Sequence, residues 1–202
     1  MMTLRNVLDF SDRQERYTVT AMQLLLAGLV VFGAVTARWG MAVTGGIALG
    51  ITLLPALLER EFGYTPDPGL LVWLTLAVTI HAAGSLGLYR QFEWYDNIAH
   101  TVSAMVIAGI GYASFRALEL HSEDIDVPPE FRFVFILVFV LATGVFWEVL
   151  EFALGDLVTV YGVDDIVTDM IFNTVGAVIV AVWGTGYVTG LTRFVRERLR
   201  AS

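Results

Sequence analysis

Cysteine and lysine are both missing from this chain of 202 residues. Without cysteine there is no disulfide, no thiolate metal ligand and no cysteine nucleophile. Without lysine, all 12 basic residues are arginine, set against 20 acidic ones for a formal charge of −8. No basic stripe exists, which excludes nucleic acid as a partner. An acidic, lysine-free composition also suits an acidic proteome in a high-salt cytoplasm. Charge of either sign is scarce. Only 16% of the residues are charged, whereas a soluble domain uses about a quarter. No phosphate-cradling glycine loop and no nucleophilic triad spacing is present.

What is abundant is apolar: 56% of the residues are hydrophobic and the mean hydropathy is +0.70. The implied class is an all-α polytopic bundle in a membrane. A span needs about 20 apolar residues, because the hydrocarbon core is about 30 Å thick. Six runs qualify: Val19–Ala37, Ala42–Leu58, Gly69–Tyr89, Asn97–Leu118, Phe131–Ala153 and Asp165–Leu191. The second is the shortest and carries Pro55 near its end. The joints are short and polar, among them Glu59-Arg60-Glu61, Arg90–Tyr95 and the acidic Glu119–Glu130. None has room for a soluble domain. The expected organisation is a polar segment over 1–18, a six-helix membrane domain over 19–191 and a basic tail over 192–202. The first apolar run is long for a signal peptide and is read as a retained helix.

Arginine placement predicts orientation. With alternating spans, ten arginines fall on one side and only Arg38 and Arg90 on the other. Both termini are therefore expected in the cytoplasm of a multi-pass cell-membrane protein. The Arg193–Arg200 stretch then reads as an anchor beside anionic lipid.

Ionisable groups inside spans are costly, about 2.5–3.5 kcal/mol at the helix centre, so they mark where function is sought. Asp96 and His100 open the fourth helix, Glu148 and Glu151 close the fifth, and Asp165, Asp169 and Asn173 open the sixth. His81 lies within the third. With the orientation above, all of them fall in the outer leaflet. Asp96 and His100 stand at i and i+4, Glu148 and Glu151 at i and i+3, and Asp165, Asp169 and Asn173 at i, i+4 and i+8, a stripe that continues to Gly176. Each helix thus has one polar face, and lipid cannot satisfy it. The economical arrangement points the three faces at one another.

So many carboxylates cannot all stay ionised unless a cation sits among them. Oxygen ligands with one or two imidazoles suit Mg, Mn, Fe or Zn. The expected ligands are Asp96, His100, Glu148, Asp165 and Asp169, with Glu151 as general base and His81 and Asn173 in support. The plainer readings stay open. Asp96 and Asp165 are also placed to cap their helices. His81 is placed to bond a neighbouring helix. The whole set is also compatible with a packing network. The tryptophans fit interfacial or core positions. Gly46-x-x-x-Gly50 and Gly186-x-x-x-Gly190 offer faces for close helix approach, including to a second copy of the chain.

Three motifs carry a resemblance: Asp-Asn-Ile-Ala-His (96–100), Glu-Val-Leu-Glu (148–151) and Asp-Ile-Val-Thr-Asp-Met-Ile-Phe-Asn-Thr-Val-Gly (165–176). Together they resemble the VanZ-like and YjdF-like integral membrane families, over roughly residues 94–180. By that resemblance Asp96, His100, Glu148, Asp169, Asn173 and Gly176 occupy the family positions. Glu151 and Asp165 stand where VanZ-like proteins often have glutamine and arginine, which is closer to the YjdF-like form. That departure counts against carrying over the glycopeptide-resistance role of VanZ. The functional expectation is an outward-facing divalent-metal site that acts on or binds a lipid headgroup or lipid-linked phosphate. The alternatives are a proton- or cation-coupled transporter and a structural membrane subunit.

Overall fold

The protein is described here from a computed structural model covering residues 11–63, 68–121, 127–155, 162–183, 192, 193, 195–197 and 199. Six long helices cross the bundle: α1 (Asp12–Val35), α2 (Trp39–Phe62), α3 (Pro68–Ala83), α4 (Glu93–His121), α5 (Pro129–Leu154) and α6 (Val163–Trp183). α3 runs on through one π-helical turn, Gly84–Leu88, and a last helical turn, Tyr89–Gln91. All six contain a stretch long and apolar enough to span a membrane. The all-helical, six-span reading of the sequence therefore holds. No strand occurs among the described residues.

Several boundaries move, each for a local reason. α1 begins at Asp12, ahead of the apolar run that opens at Val19. Ser11 and Gln14 form a capping box there, with Gln14 N–H donating to Ser11 Oγ at 3.3 Å and Ser11 N–H to Gln14 Oε1 at 2.8 Å. Two free backbone donors are thereby satisfied, and the helix starts in the polar segment. α2 is 24 residues long, runs past Pro55 and closes at Gly63 in the left-handed conformation (φ 67°). It is thus not a short span, and Glu59-Arg60-Glu61 form its last turns instead of a joint. Glu119 also belongs to a helix, α4, and not to the acidic connection. The stretch 184–191, which the sequence reading placed at the end of the sixth span, lies outside the described residues, as do Gly186 and Gly190.

The helices form two triplets. α1, α2 and α3 pack on one another, as do α4, α5 and α6, and α3 against α4 joins the two. Each triplet has its own core: Leu26, Leu29, Met41, Ala48 and Ala82 in the first, Ala104, Ala108, Ile136, Val140, Ala177 and Val180 in the second. The alanines let the helix axes approach, which is how membrane helices gain van der Waals contact without a hydrophobic drive. Large apolar side chains such as Leu24, Val35, Phe146 and Phe152 stay exposed on the outside. That is the pattern expected of a lipid-facing surface. The glycines that admit a neighbour in α1 and α2 are Gly33 and Gly45. At Gly46 and Gly50 a Cβ would meet nothing within 4 Å among the described residues, and both are exposed.

Thr44, Thr143 and Thr174 donate their hydroxyls to carbonyls four residues back, at 2.8–2.9 Å. This spends a polar group locally where no water is present to take it.

Candidate functional site

Asp96 stands in the first turn of α4, and His100 follows one turn later on the same face. Asp169 and Asn173 repeat that spacing on α6. The two faces meet because α4 and α6 approach very closely. A Cβ placed on Gly176 would lie 2.7 Å from the Ala104 Cβ and collide with the backbone of α4. Gly176 therefore brings the stripe of α6 onto the stripe of α4. Gly144 on α5 does the same for the third helix, since a Cβ there would lie 2.7 Å from Asn173 Nδ2.

The result is a tight group. Ligand atoms of Asp96, His100 and Asp169 all lie within 4.8 Å of one another. His100 Nε2 stands 3.6 Å from Asp96 Oδ1 and 3.4 Å from Asp169 Oδ1. The side chains of His100 and Asp169 are 8% and 4% exposed, and that of Asp96 is 22%. The Asp96 and Asp169 carboxyl groups and the Asn173 side chain lie close enough to the cluster to interact with one another and with His100. Asp169 Oδ1 is buried with no hydrogen-bond partner, and so is Glu148 Oε1. Buried carboxylate oxygens without a donor are expensive. No arginine pairs with Asp96, Asp169 or Glu148 among the described residues, and Arg90 is exposed.

The remaining sequence candidates surround this group without joining it. Glu148 and Asp165 lie outside the three-residue cluster. They are close enough to each other, and Glu148 to Asp96, for their charges to interact. Glu151 is half-buried and lines a cavity beside His100 and Asn173. His81 stacks edge-on against His100 with ring centroids 5.1 Å apart.

Two residues near the site escaped the sequence reading. Tyr89 lies eight positions after His81, about 12 Å along an ideal helix. Its hydroxyl nevertheless sits 3.0 Å from His81 Nδ1. The π turn, with Gly87 at φ 106°, folds the end of α3 back, and Tyr89 comes to lie over Gly84, where a Cβ would strike its ring. Gly84-x-x-Gly87 was the only available signal, and it does not state a direction. Trp147 packs 6.0 Å from His81 and lines the same cavity. Its place one turn before Glu151 was a legible signal.

At the opposite end of the bundle Glu119 is buried and held by Arg116 at 2.7 Å and Arg132 at 2.9 and 3.1 Å. There the acid is matched by cations. At the Asp96 end it is not.

Residues 17–190 match the model of a family described as predicted membrane protein (DUF2238). The chain belongs to that family. No curated protein matches it, and no solved structure does. The family match agrees with the six spans and extends over all six helices.

Proposed function

We propose that Asp96, His100 and Asp169 hold a divalent cation, and that this membrane protein binds, or acts on, a phosphate-bearing lipid headgroup through it. The observation that carries the reading is the meeting of three ligand atoms within 4.8 Å around a buried, unpartnered Asp169 oxygen. Two carboxyl groups and an imidazole suit a hard or borderline cation such as Mg, Mn, Fe or Zn. Asn173 orients the imidazole from outside the ligand set. A cation there would polarise a phosphoryl oxygen or activate water. Glu151 is the base placed nearest the cavity, and Glu148 and Asp165 shape the field around it.

An acidic pocket repels an anion until its charge is offset, so the cation and the phosphate belong together. The arginine asymmetry supports both termini lying in the cytoplasm, with the site at the outer headgroup level. The resemblance to the VanZ-like and YjdF-like families is part of this reading and carries no reaction with it.

The test is elemental mass spectrometry of detergent-purified protein beside His100→Ala, Asp169→Asn and Glu93→Gln. Near-stoichiometric metal in the wild type and in Glu93→Gln, lost in the other two, is expected. Metal-free wild type whose melting is unchanged by added divalents would overturn the reading. Cation flux into liposomes that stops in Asp169→Asn would replace it with transport.

A further inference from the structure

We infer that the cleft between the two helix triplets seats a single hydrocarbon chain, so that the ligand is a one-chain phosphate amphiphile. This rests on the metal-site reading for the head and on an independent feature, the cavity, for the tail.

The cavity has a volume of about 410 Å³, inside the range of about 300–1,000 Å³ typical of small-molecule sites. Its walls are apolar, among them Ile51 of α2, Val78 of α3, Ile107 of α4 and Val140 of α5. Thr44 and Thr143 also line it, but each donates its hydroxyl to its own helix. The other polar lining groups, His81, His100, Ser103, Trp147, Glu151 and Asn173, stand toward the Asp96 end of their helices relative to Ile107 and Val140. A slot that is apolar along its length and acidic at one end matches an amphiphile.

Its dimensions match one chain. Seven residues separate His100 from Ile107 and eleven separate Val140 from Glu151, which is about 10 and 16 Å at 1.5 Å per residue. The half-thickness of a bilayer core is about 15 Å. The cavity is thus about as deep as one leaflet. Its volume lies near the lower end of the range for ligand sites, which favours one chain over two. It also has a door. α2 and α5 both line the cavity yet form no packed interface with each other. Ile47 of α2 and Leu150 of α5, both in the lining, are exposed, so this is the side on which a chain would enter from the bilayer.

The experiment is native mass spectrometry of the full chain in detergent with four probes: lysophosphatidic acid, phosphatidic acid, monoacylglycerol and inorganic phosphate. Lysophosphatidic acid is expected to bind about tenfold tighter than each of the others, a difference of about 1.4 kcal/mol. Ile107→Trp and Ile51→Trp fill the slot from opposite walls. Each is expected to weaken lysophosphatidic acid about tenfold and to leave metal content unchanged. Phosphatidic acid binding as tightly as its one-chain counterpart, or tryptophan variants that bind like wild type, would overturn the inference. Monoacylglycerol equal to lysophosphatidic acid, with both displaced by the tryptophans, would keep the slot and overturn the metal reading of the head.

Discussion

At the residue scale, the site is defined by a mismatch of charge. Glu119 is as buried as His100 and has two arginines on it. Asp169 is more buried and has only an imidazole, another carboxyl group and an unpartnered oxygen. One of these arrangements is already satisfied, and the other is the one the proposed cation would satisfy. Asn173 tests the distinction without removing a ligand. Its amide lies beside His100 and against Gly144 of α5, where a Cβ would come within 2.7 Å of it. Asn173→Ala is expected to leave the fold intact and to weaken divalent binding about 10- to 100-fold, the usual effect of losing a group that orients a metal ligand. Titration against a fluorescent chelator measures this. Unchanged affinity would reduce Asn173 to a packing role.

At the scale of the helices, small residues decide which faces meet. Gly176 lets α6 press on the backbone of α4, and without that approach Asp169 would not reach His100. Gly46 has nothing near its Cβ position. Gly176→Val is therefore expected to cost about 1–3 kcal/mol through overpacking. At about 2–4 °C per kcal/mol for a chain of this size, its melting midpoint in detergent falls by about 2–12 °C. Gly46→Val is expected to move the midpoint by no more than about 1–2 °C, since substitutions at open surface positions usually stay within about 0.5 kcal/mol. Equal falls in the two variants would mean that the two glycines do not differ in packing. The π turn in α3 belongs to this scale as well. It turns a residue two turns away from His81 into its hydrogen-bond partner.

At the scale of the whole molecule, the two ends of the bundle differ in chemistry. One is closed by the Arg116–Glu119–Arg132 group, and the other carries the acidic site. The proposed orientation puts the acidic end outside. The natural absence of cysteine makes this easy to check, because single cysteines need no background removed. In intact cells, Glu93→Cys is expected to react with a membrane-impermeant maleimide, and Glu61→Cys only after permeabilisation. Both positions are exposed. The reverse pattern would place the site in the cytoplasm and turn the source of its ligand around.

Composition and run length alone determined that this chain is a six-span helical bundle, because lipid cannot hydrogen-bond an unpaired backbone and leaves few alternatives to a helix. Periodicity alone also put Asp96 with His100, and Asp169 with Asn173, on single faces, because the helical repeat is a local property. Sequence spacing could not say which of the five proposed ligands would converge. Helix rotation and height are set by packing, and packing brought Asp96, His100 and Asp169 together and left Glu148 and Asp165 outside. Tyr89 was invisible for the same reason, since its position depends on a local break in the helix. The apolar cavity was invisible too, because it is the space between helices far apart in sequence, bounded by side chains that each look like ordinary membrane residues.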